Sequence, residues 1–292
     1  MNKKIKNILL KPFDLLYDIN KEITLKILFI IKNRYKLNLE NPVTYNEKLQ
    51  LVKLYYKHPL LTKLVDKYTV REYVHKICPD ILNELYWEGF NPNEIPWDKL
   101  PDKFVIKVTH GSGYNILCTN KNKINKAEVI KKINIWLKEK FIKCYGEWFY
   151  GVEKPRIIIE KYLDDETGKA PTDYKVFCFN GIPRYVIVDT DRFTKHKRNV
   201  YDLQWNFKDN YTLNFPNDKP IKKPKELAEL LDIAAKLSKG FPHVRVDLYI
   251  IKGKIYFGEM TFTNGAGFDK IRPYEFDVEL GNFFKIEKTK EV

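Results

Sequence analysis

The sequence predicts an α+β protein built on antiparallel sheets. Up to about residue 100, apolar residues recur at spacings of three and four over 46–56 and 61–77, as they do along one face of a helix. After Pro101 the texture changes to short apolar runs at 104–108, 114–118, 156–160, 174–179, 183–188, 244–250 and 254–259, the pattern of strands. The runs arrive mostly as hairpins, turned by "FNG" at 179–181 and "KG" at 252–253, with helical stretches at 127–140 and 224–239 between them. Hairpins with interspersed helices argue against a doubly wound parallel sheet, which needs a crossover between neighbouring strands. There is no internal repeat and no low-complexity linker.

Composition sets the outer limits. A chain of 292 residues that is 44% hydrophobic and 14% aromatic buries a large core and divides into two or more subdomains. Cys78, Cys118, Cys144 and Cys178 show neither Cys-x-x-Cys spacing nor clustering with histidine, which excludes a sequence-readable zinc site or disulfide framework and suits a reducing cytoplasm. A net charge of +14 attracts polyanions without naming them: nucleotides, acidic glycans, nucleic acid and anionic membranes all qualify. The first 37 residues lack the unbroken apolar stretch of a signal peptide, and Leu25 to Ile31, with Lys26 among them, fall far short of the roughly 20 apolar residues of a spanning helix. Ile5, Leu9, Phe13 and Leu16 recur at helical spacing among basic residues. Such a helix packs on the protein's own core, the favoured reading, or lies on the anionic inner face of a membrane.

Three stretches carry chemistry. In "KFVIKVTHGSGYNILC", 103–118, a lysine sits inside the first strand of a hairpin whose tip is His110-Gly111-Ser112-Gly113. A plain turn needs only Asn-Gly or Asp-Gly, whereas glycines beside a lysine let backbone N–H groups and a point charge approach an anion. The loop matches neither Gly-x-Gly-x-x-Gly nor Gly-x-x-x-x-Gly-Lys-Ser/Thr. "RIIIEKYL", 156–163, is a strand ending on Glu160, and its backbone groups can read the edge of a base. "HVRVDLYIIKGKIYFGEM", 243–260, is a hairpin whose short turn brings Asp247 and Glu259 toward one end of a sheet. Two carboxylates close together need a cation, and magnesium takes such oxygen ligands together with substrate phosphates. Pairing of Asp247 with Arg245 or a lysine is the competing reading.

In order, these stretches resemble the ATP-grasp superfamily and, within it, the teichuronopeptide-biosynthesis (TupA-like) branch found among bacterial surface-polysaccharide genes. The resemblance runs from about Thr44 to Leu280 and is carried by "DKYTVREYV" at 66–74, "LPDKFVIKVTHGSGYNI" at 100–116, "IIIEKYL" at 157–163, "DYKVFCFNG" at 173–181, "DTDRFTKHKRNVYD" at 189–202, "FPHVRVDLY" at 241–249 and "YFGEMTFTNGAGF" at 256–268. It implies two α+β subdomains, 101–163 and 164–292, clamping ATP after a mostly helical region, 1–100. Lys107 matches the lysine on the α- and β-phosphates, and His110 to Asn115 the mobile glycine-rich lid, with Gly111, Ser112 and Gly113 at its tip. Glu160, Lys161, Tyr162 and Leu163 match the adenine hinge, and Lys67 or Arg71 a further phosphate cation. Asp173 is placed for the ribose hydroxyls. Asp247 and Glu259 match magnesium ligands, and Arg245 the arginine that steadies the transferred phosphoryl group. The chain departs from the usual Glu-x-Asn metal motif, since Thr261 stands where asparagine is expected; Thr261 or Asn264 would complete the ligand set.

The implied chemistry is carboxylate activation: ATP phosphorylates a carboxylate, and an amine attacks the acyl phosphate. A uronic acid of a capsular, cell-wall or O-antigen glycan suits the carboxylate and an amino acid the amine, with Arg192, His196, Lys197 and Arg198 as candidate substrate cations. A kinase of the same fold would share every ATP residue. A glycosyltransferase would use an Asp-x-Asp motif, spelled here by "DTD" at 189–191, but would leave Lys107 and Glu160 unexplained. A nucleic-acid binder would account for the charge and not for Asp247 with Glu259, so no nucleic-acid partner is expected.

Overall fold

A computed structural model describes residues 3–164, 171–190 and 195–286, with side chains from residue 8 onward. The chain opens with a helical hairpin, α1 (Lys3–Ile19) and α2 (Lys21–Asn33), whose junction is capped by the Asn20 side chain accepting from the Ile23 amide. Then follow α3 (Tyr45–Tyr55), α4 (Leu61–Leu64) and α5 (Val70–Ile77). The expected single helix over 61–77 is broken because Asp66 Oδ1 accepts from the amides of Tyr68, at 2.9 Å, and Thr69, at 3.0 Å, offering the backbone a turn in place of the helical ladder.

Two sheets follow. The first holds β1 (Leu85–Gly89), β2 (Phe104–Val108), β3 (Asn115–Cys118) and β4 (Ile157–Lys161) in the order β1-β4-β2-β3, with α6 (Lys126–Leu137) on one face. β1 lies within the region expected to be mostly helical and joins this sheet by pairing with β4. The second sheet is built from β5 (Asp173–Phe179), β6 (Ile182–Thr190), β7 (Lys197–Tyr201), β9 (His243–Ile251) and β10 (Lys254–Thr261), in the order β10-β9-β5-β6-β7. β8 (Thr212–Leu213) and α7 (Leu227–Ser238) precede β9, while β11 (Ile271–Arg272) and α8 (Tyr274–Phe283) follow β10. All strand pairs are antiparallel, and both expected turns are present, with Asn180, Gly181, Lys252 and Gly253 at positive φ.

Alternation then decides which residues face the cleft. In the first sheet Phe104, Ile106, Val108, Ile157 and Ile159 pack with Val129 and Ile133 of α6, so Val105, Lys107, Ile158 and Glu160 turn the other way. In the second sheet Tyr174, Val176, Cys178, Val244, Val246 and Leu248 pack against Leu230, Ala234 and Leu237 of α7. On its opposite face Phe177, Phe179, Tyr185 and Ile187 pack against Tyr45 and Leu49 of α3 and Phe276 and Leu280 of α8. That apolar cover ends at Phe177, and the next positions along the same face carry charge. A bulge between Phe257 and Glu259 sets Phe257 opposite Leu248 and Glu259 opposite Asp247. Gly258 occupies it, and a Cβ there would lie 2.9 Å from the Asp247 carbonyl oxygen.

Candidate active site

The first half of the candidate site begins at the end of β2. Lys107 stands diagonal to Glu160 across the β2–β4 pair and donates to its Oε2 at 2.5 Å. Arg71 donates to the other oxygen at 3.0 Å and to the Asn83 carbonyl at 2.7 Å, so the buried Glu160 carboxylate is held between two cations. The Lys161 carbonyl, in the next hinge position, accepts from Asn83 Nδ2 at 2.8 Å. Tyr162 and Leu163 follow, half-buried. The lid is closed at its base by the Val108 amide donating to the Tyr114 carbonyl at 3.0 Å. Gly113 takes φ +78° with open space where a Cβ would be, and Ser112 beside it is exposed. His110 points inward, donating from Nε2 to the Glu139 carbonyl at 2.9 Å. Lys67 lies beneath the lid and donates to the Gly111 carbonyl at 2.5 Å. Burial pushes the Lys67 ammonium down from its ordinary pKa; Glu259 pulls it up, Lys107 pushes it down, and Asp66 and Glu160 pull it up again.

The second half is the charged end of the five-stranded sheet. Register places Asp173 opposite Asp189, Lys175 opposite Asp247, and Asp247 opposite Glu259. Lys175 was not among the residues expected from sequence, yet it is central: its Nζ lies 2.5 Å from Asp173, 2.6 Å from Asp247 and 3.8 Å from Asp189. Arg198 grips Asp189 through Nε at 2.6 Å and Nη2 at 2.9 Å, and His196 Nε2 lies 3.1 Å from the same carboxylate. Burial raises the pKa of Asp189, but Arg198, Lys175 and His196 together outweigh it and hold the carboxyl well below the usual range. Arg245 makes the bidentate contact with Asp247, at 2.6 and 2.8 Å, and reaches Glu259 at 2.9 Å. Burial pushes Asp247 up, while Arg245 and Lys175 pull it back. Both competing readings of Asp247 thus have a physical basis: it faces Glu259 across the ladder and it is paired with Arg245.

The remaining expected residues divide. Thr261 donates to Glu259 Oε1 at 3.3 Å. The Asn264 amide accepts from Arg245 and donates to Asp269, so it supports the arginine. Lys197 lies opposite Thr190, hence on the other face of β7 from Arg198, and is half-buried. Arg192 and Asp191, the latter the second acid of "DTD", lie outside the described residues; Asp189, the first, is spent on Arg198.

Among the described residues no group of three His, Cys, Asp or Glu side chains forms a ready metal cluster. The donor chemistry nevertheless fits magnesium. Asp247 and Glu259 stand opposite each other across the β9–β10 pair and offer carboxylate oxygens of the hard kind that magnesium accepts when phosphates complete its shell.

A cavity of about 920 Å³ opens between the α1–α2 junction, His110 at the base of the lid and the segment 137–155. Lys57, Lys138 and Lys140 line it together with Trp148 and with Phe141 and Tyr150, whose rings stack 4.5 Å apart. Tyr150 and Glu147 are among its lining, and burial, then Glu147 and Glu259, push the Tyr150 hydroxyl well above its ordinary pKa. Neither group carried a sequence signal, since aromatic residues in a connecting segment read as core.

A family model for TupA-like ATP-grasp proteins matches residues 47–285. No curated protein matches the chain. Among solved structures, the D-alanine–D-alanine ligase of Bacillus anthracis complexed with ATP is 17% identical, with a TM-score of 0.42, over 70% of this chain and 57% of its own. An L-amino acid ligase from Bacillus licheniformis is 14% identical at a TM-score of 0.47, over 72% and 46%. A phosphoribosylamine–glycine ligase from Thermotoga maritima is 15% identical at 0.42, over 69% and 48%. The chain therefore spans 46% to 57% of the length of these three proteins.

Proposed function

Because the chain belongs to the TupA-like ATP-grasp family and has the ATP-grasp fold, we propose that it is an ATP- and magnesium-dependent ligase that joins a uronic-acid carboxylate of a bacterial surface polysaccharide to an amine, such as that of an amino acid. The observation that carries this reading is Lys67 beneath the lid, donating to the Gly111 carbonyl, beside a Glu160 carboxylate held between Lys107 and Arg71, with Asp247 and Glu259 facing each other on the second sheet. A nucleotide bound along the first sheet would carry its phosphates toward that pair. On this reading 101–163 and 164–292 are the closing subdomains, 1–100 precedes them, and the demand for ATP places the reaction in the cytoplasm.

Each group has a task. The backbone of Glu160 to Leu163 receives adenine and Asp173 the ribose. Lys107, Lys67 and the lid amides hold the phosphates. A phosphate competes with Glu160 for the Lys107 ammonium, and Arg71 remains to balance the carboxylate. Asp247 and Glu259, with Thr261 alongside, would hold magnesium, which would supply charge neutralisation for the phosphates. Arg245, already hydrogen-bonded along this edge, steadies the phosphoryl group as a carboxylate oxygen attacks phosphorus and ADP leaves; positioning and charge carry most of such catalysis. The amine then attacks the acyl carbon, losing its proton, and phosphate departs with the carboxylate oxygen. The lysine-rich, aromatic-walled cavity suits the acceptor, because stacked rings pack a sugar face and ammonium groups hold its carboxylates.

Phosphate release from ATP, screened with uronic-acid sugars against a panel of amino acids and followed by mass spectrometry, tests the reading. A product heavier by one amino acid less water is expected. A product heavier by one phosphoryl group, formed without any amine, makes the protein a kinase. Glycosyl transfer from a UDP-sugar makes it a glycosyltransferase. Either result overturns the ligase.

A further inference from the structure

The α1–α2 hairpin has two faces with opposite demands. Leu10, Tyr17, Leu25, Leu28 and Phe29 are buried against α3 and Cys144. Its outer side leaves Ile8, Leu15 and Ile19 exposed at 64%, 68% and 83%. Ile23, Ile27, Ile30 and Ile31 continue the stripe along α2, all exposed. Spacings of three, four and seven put these residues on one side of each helix. The sequence pointed to Ile5, Leu9, Phe13 and Leu16 instead; among these Leu9 is exposed, and Phe13 and Leu16 are half-buried. A stripe of exposed aliphatic side chains on this scale is not left in water without a partner.

Charge identifies the partner. The acids of the hairpin are engaged with the protein body: Asp14 accepts from the Cys144 amide at 2.8 Å, Asp18 pairs with Lys143, and Glu22 accepts from the Tyr55 hydroxyl. Exposed Lys11 and Lys26 belong to the outer side, while exposed Lys21 faces the cavity. Lys11 is one turn from both Ile8 and Leu15, and Lys26, 4.0 Å from Glu22, is one turn from both Ile23 and Ile30, so each ammonium emerges from within the stripe. We propose that the α1–α2 hairpin lies on the surface of an anionic membrane, with its aliphatic stripe in the acyl boundary and these lysines at the level of the lipid phosphates. A two-fold pairing of hairpins would press lysines against lysines, which disfavours a second copy as the occupant. No helix among the described residues is long and apolar enough to cross a membrane, so the hairpin lies along the surface. Tyr17, Asp18 and Lys21, at the junction of the two helices, also line the cavity. If that cavity holds the acceptor, docking sets it beside the membrane and suits an acidic saccharide carried on a lipid; this consequence alone rests on the function proposed above.

The test is sedimentation of the full chain with vesicles of phosphatidylcholine, with or without phosphatidylglycerol. Binding should rise with phosphatidylglycerol and fall as salt is added. Combining Leu15→Gln, Ile19→Gln and Ile23→Gln should leave thermal unfolding unchanged and reduce the bound fraction about tenfold, while Lys11→Glu with Lys26→Glu should remove the preference for phosphatidylglycerol. Failure to sediment with anionic vesicles, or sedimentation that the glutamine variant leaves intact, overturns the proposal. So does a dimer in sedimentation equilibrium that the glutamine substitutions dissociate. None of these readouts depends on ATP or on turnover, so the ligase reading stands or falls separately.

Discussion

The ammonium of Lys175 lies 2.6 Å from Oδ2 of Asp247 on the neighbouring strand, with both side chains almost completely buried. It also balances Asp173 and Asp189, so removing it leaves three buried carboxylates with Arg245 and Arg198 as their remaining cations. Lys175→Met should cost about 3–5 kcal/mol, the usual penalty for breaking a buried charge pair. Magnesium should restore part of the loss, since a metal at Asp247 supplies the missing charge. Urea unfolding with and without magnesium measures both effects; a loss below about 1 kcal/mol would show that the carboxylates need no such counter-ion.

Mg-ATP should raise the thermal midpoint where UDP-sugars do not, adding about 2.7 kcal/mol at 100 times the dissociation constant. Lys107→Ala should weaken that shift and slow turnover. Glu259→Ala should abolish turnover with the fold intact by circular dichroism, and Asp247→Ala should abolish turnover while destabilising the fold, because it leaves buried Arg245 and Lys175 without that counter-ion. Thr261→Ala decides what replaces the asparagine of the usual motif: lost activity with retained ATP binding gives the hydroxyl that place, and full activity removes it from the site.

His243 gives the protein an acid limit. It is fully enclosed, donating from Nδ1 to the Cys178 carbonyl at 2.9 Å and accepting at Nε2 from Tyr45 at 2.7 Å. Burial pushes its pKa from 6.5 down to about 3. Between those values the unfolded chain takes up a proton that the folded chain refuses, so stability is lost as pH falls from 6.5 toward 3, by up to about 1.4 kcal/mol per pH unit. His243→Gln should flatten that limb by close to one proton, measured as urea midpoints across the window. An unchanged slope would assign acid sensitivity elsewhere.

The turn after β10 depends on Gly267, at φ +70°, where a Cβ would stand 3.0 Å from Leu49 Cβ and 3.2 Å from the Asn46 carbonyl oxygen. Gln50 donates to the Gly267 carbonyl at 2.9 Å and buried Lys53 to that of Ala266 at 2.8 Å, fastening the turn to α3. Gly267→Ala should cost about 2 kcal/mol from the left-handed backbone alone and should reduce turnover more than ATP binding, because Asn264 supports Arg245 from this turn. Equal losses in both would make the effect one of general stability.

What was legible in the sequence was local. Hairpins announce themselves by alternation and by "FNG" and "KG", and through them the placing of Asp247 and Glu259 toward one end of a sheet was legible, whereas their direct facing depends on the bulge at Gly258. β1 was not legible, because "LYWEG" finds its partner in β4, far along the chain, and pairing at that distance leaves no local mark. Lys175 was hidden for another reason. It sits in a strand buried along its whole length, where a single lysine in an apolar run gives no sign of the three aspartates that register brings to it. The basic cluster at 196–198 looked continuous in sequence, and strand alternation divided it, sending Arg198 to Asp189 and Lys197 to the opposite face.

The bulge at Gly258 has a consequence for how strand length and site geometry are related. In an unbroken strand Phe257 and Glu259 share a parity and would share a face; here one extra residue changes the parity midway, so the half of β10 before the bulge and the half after it obey opposite rules. A strand one residue shorter, lacking Gly258, would pair without a bulge and still set Phe257 opposite Leu248 and Glu259 opposite Asp247. An insertion between Glu259 and Thr261 has no such neutral form, because it moves Thr261 out of its register with Arg245. The strand can thus lose one residue before the glutamate without changing how the site faces, and can gain none between the glutamate and the threonine.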